Sequence, residues 1–378
     1  MLRRAVYDDD HEMFRDAVRG FFNRELEPNY DQWEKDGVVP RSFWLKAGEQ
    51  GLLCPQIPEE YSGPGGDYRY LSVVVEELHM AGATGPGFAV HSDICSAYIL
   101  NQGSEEQKQK WLPKMVSGEA IFAIAMTEPG TGSDLQGVST TARLDGDEWV
   151  INGSKTFISN GQNADVVIVV AKTDPSLGAK GISLILVESD RDGYRCGRNL
   201  EKMGLHAQDT SEIFFDDVRV PKSNLLGEEG RGFVQLMTEL PQERLAIAVG
   251  CMGLAQRAYD LTVEYTKERM AFGKPIIELQ NTRFKLASLK TELAAGWALT
   301  DQCIEHHCRG ELDATDAAMA KLWTSEMLGR MADECVQLFG GYGYMMEYPI
   351  SRVFLDARIQ RIFGGTSEIM RELISRSL

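Results

Sequence analysis

Glycine-rich nucleotide fingerprints are missing from this chain. There is no Gly-x-Gly-x-x-Gly, and the only Gly-Lys pair, Gly273-Lys274, lacks the preceding glycine and the following hydroxyl of a P-loop. A Rossmann or P-loop enzyme is therefore not expected. Positive charge is also scarce: 39 Lys and Arg stand against 56 Asp and Glu, for a formal net charge of −17. Nonspecific attraction to nucleic acid or to an anionic membrane comes from clustered cations, so neither partner is expected. An anionic small ligand needs local cations of its own. The seven cysteines are odd in number, scattered and never in a Cys-x-x-Cys pair, which indicates neither a disulfide framework nor a zinc site and fits a reducing compartment. No apolar run approaches the length that spans a bilayer, so no integral membrane association is expected. The start, "MLRRAVYDDD", has no apolar stretch behind its arginines, and the final "RSL" is not a Ser-Lys-Leu address. A cytoplasmic protein is expected, with a processed organellar form as the alternative.

What is present is a chain of 378 residues, long enough for a large core and two or three domains. From Asp8 to about Gly118 the apolar spacing is helical, with cap candidates before "HEMFRDAVRGFF" and closing glycines after each segment. Between about Ile121 and Glu229 come short runs rich in Val, Ile and Phe, such as "ADVVIVVAK" and "GISLILVES", divided by Asn-Gly, Asp-Pro and Asp-Gly turn signals. After "GEEGRGF" long helical segments return, joined by short loops. The expected class is α+β: an N-terminal helical domain (1–120), a middle antiparallel β-barrel domain (121–230) and a C-terminal four-helix bundle (231–378). His306 and His307 fall on one of the long helices, where neighbours point apart, and read as surface residues.

The stretch "TEPGTGSD", Thr127 to Asp134, offers hydroxyls and exposed backbone N–H groups suited to an anionic or heteroaromatic ligand, although in isolation a plain Pro-Gly turn is the favoured explanation. Its company is more specific. "TEPGTGSD", "WVINGSKTFISNG", "KMGLHAQDTSEIFFDDVRVP", "ERMAFGKPI", "QLFGGYGY" and "GGTSE", in that order across a helical, β, helical chain, resemble the acyl-CoA dehydrogenase family. The resemblance spans nearly the whole sequence.

That resemblance implies FAD held between the β domain and the bundle, an acyl-CoA substrate, electron transfer to an electron-transferring flavoprotein, and a homotetramer. By motif match, Ile124, Met126, Thr127 and Ser133 lie along the flavin, with Ser133 also a contact to CoA. Phe157, Ile158 and Ser159 match a second flavin contact, Phe157 and Ser159 standing where the family often has Trp and Thr. Arg269, Phe272, Gln280, Gln337, Gly340 and Gly341 match the part of the FAD site that a neighbouring subunit supplies. Lys180 sits where a loop can meet CoA, or is simply a solvated lysine.

Family members remove an α proton with a glutamate that commonly precedes Gly-Thr near the C-terminus. Here that position is Gly364, followed by Gly365 and Thr366. A minority of the family, including the long-chain type that "ELPQERL" and "GGTSEIM" most resemble, carries the base on a bundle helix directly before an arginine. Glu243-Arg244 matches that placement, and Glu239, one turn earlier, is the second candidate. Read without the family, Glu243 is an acid in the first turn of a helix that Pro241 begins. Burial raises the pKa of such a base while a helix start and Arg244 lower it, leaving the net direction open. Gly364 and Gly365 are then expected beside the thioester, with Arg244 nearby, and Thr366, Ser367 and Glu368 open a helix whose N-terminus can face FAD phosphates. The resemblance implies acyl-CoA dehydrogenation; a short branched substrate, or a noncatalytic flavoprotein on the same fold, is the alternative.

Overall fold

The computed structural model describes residues 4–378. The first layer is helical: α1 (Asp9–Phe21), α2 (Tyr30–Asp36), α3 (Arg41–Glu49), α4 (Tyr68–Met80), α5 (Ser96–Gln102) and α6 (Glu105–Ser117). Local chemistry sets the ends. Asp8 and His11 form a reciprocal capping box on α1, Ser104 and Gln107 do the same on α6, and Gly118 ends α6 at φ +76°.

The strands β1 (Phe122–Ala125), β2 (Thr141–Asp145), β3 (Glu148–Ser159), β4 (Val166–Lys172), β5 (Ile182–Glu188), β6 (Tyr194–Asn199), β7 (Thr210–Pro221) and β8 (Leu225–Leu226) form one sheet, in the order β6-β7-β3-β2-β4-β5-β8 with β1 added beside β4. This corrects the expected barrel. β6 and β8 are open ends that do not pair, and β1 and β2 both meet β4 in parallel, so the sheet is neither closed nor purely antiparallel. The run "VVIVVA" shows why. Val166, Ile168 and Val170 pack with Trp111, Leu112 and Met115 of α6, while Val167, Val169 and Ala171 pack with Trp149, Ile151 and Ile213 inside the sheet. Helices cover one face, so the sheet can stay open without exposing apolar surface.

The chain then enters α7 (Gly232–Glu268), a hairpin of β9 (Met270–Ala271) and β10 (Lys274–Pro275), and α8 (Gln280–Cys308), α9 (Ala314–Phe339), α10 (Pro349–Ala357) and α11 (Ser367–Ser375). α7, α8 and α9 pack on one another, α10 and α11 lie against α9, and α4 of the first layer packs along α7. Two local expectations change. Pro241 does not begin a helix: α7 runs through it, so Glu243 lies in the fourth turn rather than the first. His307 is not a free surface residue, since its ring packs edge-on to Tyr68 at 4.4 Å and burial lowers its pKa to about 4. Among the described residues, no helix is long and apolar enough to cross a membrane.

Candidate active site

Glu243 and Glu239 both point into the protein from α7, each 5% exposed. Their surroundings separate them. Glu239 accepts one hydrogen bond on each oxygen, from the Asn101 and Gln102 amides at 3.0 Å, and so is fully engaged. Glu243 accepts only from the Tyr98 hydroxyl, at 2.9 Å on Oε1. Its second oxygen remains available. Burial pushes the Glu243 carboxyl up to about 7, against the Tyr98 hydrogen bond and the Arg244 charge, which resolves the direction left open by sequence.

Arg244 reaches the loop before α11, where its Nε lies 3.5 Å from the Gly364 carbonyl oxygen. The next carbonyl, of Gly365, accepts from the fully buried Lys321 of α9 at 2.7 Å. Gly364 and Gly365 both adopt positive φ, +63° and +96°, which glycine tolerates without steric cost. A Cβ on Gly364 would lie 2.3 Å from Cδ1 of Ile247, one turn beyond Glu243 on α7. The loop therefore lies over the helix face next to Glu243. The N–H groups of Gly364, Gly365 and Thr366 have no acceptor among the described residues. Thr366 caps α11 by accepting from the Ile369 N–H, and Glu368 is exposed. Ser367 is buried and its hydroxyl donates to Glu326 at 2.7 Å, so only its backbone faces outward chemistry.

On the β side, the Thr156 N–H donates to the Thr127 carbonyl at 2.9 Å, which sets the segment after β1 beside the end of β3. Phe157 protrudes there, 67% exposed at φ +60°, where the β3–β7 register slips between Lys155 and Ile158. Bulges of this kind re-aim a side chain. Met126, Thr127 and Ser159 are half-buried, as is Ile124 two residues before Met126 on β1, while the Ile158 side chain packs into the sheet core and can offer a ligand only backbone. Ser133 is exposed, and its loop lies against the loop Pro175–Gly181 that carries exposed Lys180.

Arg269, Gln337, Gly340 and Gly341 come together on a separate open cavity of about 440 Å³, with Tyr265 and Tyr342. Phe272, 90% exposed, and Gln280 lie nearby in chain but off its lining. At about 1.5 Å rise per residue, α7 holds Arg269 roughly 39 Å from Glu243. The cavity therefore lies far along α7 from Glu243.

Three family models match the chain in order: the acyl-CoA dehydrogenase N-terminal domain over residues 8–119, the middle domain over 123–218 and the C-terminal domain over 230–378. The chain belongs to the acyl-CoA dehydrogenase family. It is 51% identical over 377 residues to the mitochondrial long-chain specific acyl-CoA dehydrogenase of Sus scrofa, covering 99% of this chain and 88% of that protein. An acyl-CoA dehydrogenase from Geobacillus kaustophilus matches with a TM-score of 0.98 and 50% identity, covering 99% of both chains. A glutaryl-CoA dehydrogenase from Mycobacterium smegmatis, solved in complex with FADH2, matches with a TM-score of 0.92 and 31% identity over 98% of this chain and 95% of that one.

Several side chains of this acyl-CoA dehydrogenase fold escape motif reading. Glu128 and Lys155, both buried, pair at 2.8 Å, and Glu128 also accepts from the N–H groups of Ser139 and Thr140 and the Ser139 hydroxyl. Burial raises the Glu128 pKa, but these donors outweigh it and hold the group at about 2. Lys155 also donates to the Met126 carbonyl at 3.1 Å, so the pair pins the loop next to Thr127. Lys321 had a visible signal: a lysine on the apolar stripe of Ala317, Ala320, Thr324 and Leu328. Tyr98 had none, because a tyrosine in "CSAYIL" reads as core.

Proposed function

We propose that this protein is an FAD-dependent acyl-CoA dehydrogenase of the long-chain type, converting a fatty acyl-CoA to its trans-2-enoyl-CoA with Glu243 as the base that takes the α proton. The observation that carries this is Glu243 itself: a buried carboxyl with one engaged oxygen and one available, beside a glycine loop with unpartnered N–H groups. A pKa near 7 suits a base that must be ionised at neutral pH yet strong enough to take a carbon-bound proton. The Gly364 N–H donates to the thioester carbonyl and stabilises the charge that develops as the proton leaves. Arg244 and Glu243 divide the labour, one holding the loop and the other reacting.

The residues fit FAD. Phe157 offers an exposed ring and Thr127 and Ser159 offer hydroxyls at the β domain; the α11 N-terminus and the Arg269 cavity offer groups for phosphates. When bound, FAD supplies the acceptor for the β hydride. Ser133 and Lys180, on adjoining loops, are assigned to CoA. The distance along α7 supports an assembly in which a neighbouring copy brings Arg269, Phe272, Gln280, Gln337, Gly340 and Gly341 to the FAD of the first, a homotetramer by family resemblance. An electron-transferring flavoprotein is the proposed acceptor. The mitochondrial relative supports the organellar alternative for compartment, and cell fractionation separates it from the cytoplasmic one.

The test is anaerobic mixing of the FAD-loaded protein with acyl-CoAs of graded length while the flavin absorption band is followed. Bleaching by long straight chains is expected. Preference for a short branched thioester would move the substrate, and no bleaching by any thioester would leave the noncatalytic reading in its place.

A further inference from the structure

The carbonyls of Gly364 and Gly365 both turn toward buried cations, Arg244 and Lys321, rather than toward solvent. In a trans peptide the N–H points opposite the C=O, so holding these carbonyls inward leaves the following N–H groups facing the other way. Those N–H groups, of Gly365 and Thr366, are among the ones without a protein acceptor, and they directly follow the Gly364 N–H assigned above to the thioester, so holding them sets the loop that carries it. The hydrogen bond to Gly365 is the one the structure gives to Lys321, whose ammonium has three donors and is 0% exposed. No carboxylate comes within ion-pair distance of it among the described residues. Burying an unpaired ammonium is costly, and a helix core tolerates it only where something offsets the charge.

We propose that Lys321 is a positioning residue for α-proton removal: through Gly365 it fixes the glycine loop, and its unpaired charge lowers the energy of the negative charge that forms on the thioester oxygen. This rests on the dehydrogenase reading. The step is a proton transfer only: the α C–H bond breaks, Glu243 takes the proton, and the electron pair delocalises onto the thioester carbonyl oxygen held by the loop. The groups that face Lys321 are Arg244 and Cys251 from α7, Glu326 on its own helix and Glu368 from α11. Burial pulls the ammonium down to about 8, so it remains charged at neutral pH.

The experiment uses FAD-loaded protein and an acyl-CoA with sulfur in place of the β carbon, which loses its α proton but cannot be oxidised. Its anion, stacked on oxidised flavin, gives a long-wavelength absorption band. At saturating analogue, the pH midpoint of that band is compared between the parent protein, Lys321→Met and Lys321→Gln. The Met variant should raise the midpoint by about one pH unit. The Gln variant, which keeps a donor for Gly365 but not the charge, should recover part of that shift, and it carries the comparison if the Met variant loses FAD. Unchanged midpoints in variants that bind the analogue would overturn the role of Lys321 alone. No band in the parent protein would overturn the dehydrogenase reading with it.

Discussion

A carboxyl buried without an ion pair titrates late, and Glu243 shows the consequence for both rate and stability. As the proposed base, Glu243 acts in its ionised form, so the rate of flavin reduction should rise with pH through about 7 and level off above. Glu243→Gln should keep FAD and lose flavin reduction by roughly 10²–10⁴-fold, measured in a single anaerobic turnover. Full activity in that variant would return the base to Glu239. The stability sign follows from linkage. The folded pKa lies above the unfolded one, so the folded state binds more protons between them, and stability present below about 4.5 is lost as pH rises through about 7. Glu243→Gln, a mimic of the protonated acid, should therefore melt higher than the parent at pH 8, by roughly 3 kcal/mol of stability, and about equally at pH 4. Tyr98→Phe removes the hydrogen bond that favours the carboxylate and should move the pH–rate profile upward by about one unit; an unmoved profile would show that Tyr98 only packs. Sequence located Glu243 because its neighbours in the motif are local. It could not locate Tyr98, 145 residues earlier, because that hydrogen bond exists only across the α5–α7 contact.

Elements explain where sequence patterns mislead. Pro241 looked like a first-turn proline, yet α7 is long and packed along α4, α8 and α9, and tertiary burial outweighs the one backbone hydrogen bond a proline removes. The doubly buried β4 reads as a strand from its β-branched run, but the run cannot say whether a second sheet layer or a helix covers its outer face; α6 does. Loops built on pairs of elements are hidden in the same way. Lys155 on β3 and Glu128 beyond β1 each sit inside a motif, while their pairing needs the fold. Lys155→Met leaves a buried carboxylate and should cost roughly 3–5 kcal/mol together with weaker FAD retention on dialysis. Adding Glu128→Gln should recover much of the stability; no recovery would mean Lys155 acts by packing rather than by charge. At Gly364, the position where the family resemblance implies an acid, Glu would have to adopt φ near +63° and displace the flexible end of Ile247. Gly364→Glu should cost about 1–2 kcal/mol and slow flavin reduction; an unaltered rate would make the vacancy incidental to the use of Glu243.

At the scale of the molecule, the proposed site is divided. Glu243 and the glycine loop adjoin one another, and the Arg269 cavity lies at the far end of α7, so in the proposed assembly two copies exchange equivalent ends about a twofold axis to complete each FAD site. Sequence contained both halves as motifs, but nothing in a linear pattern gives their separation; the continuous α7 does, and that separation supports the proposed exchange. The exchange makes a specific demand. Arg269→Ala should lose FAD, and Glu243→Gln should bind FAD but not reduce it, so each variant alone is inactive. In a mixed dimer, one site receives Glu243 from the Arg269→Ala chain and Arg269 from the Glu243→Gln chain. The other receives both defects. With random pairing of equal amounts, half the dimers are mixed and half of their sites are intact, so co-expression should restore about a quarter of the parental flavin-reducing sites. Titrating flavin reduction against total chain gives that fraction directly, and zero recovery from co-assembled chains would mean that each copy builds its site alone.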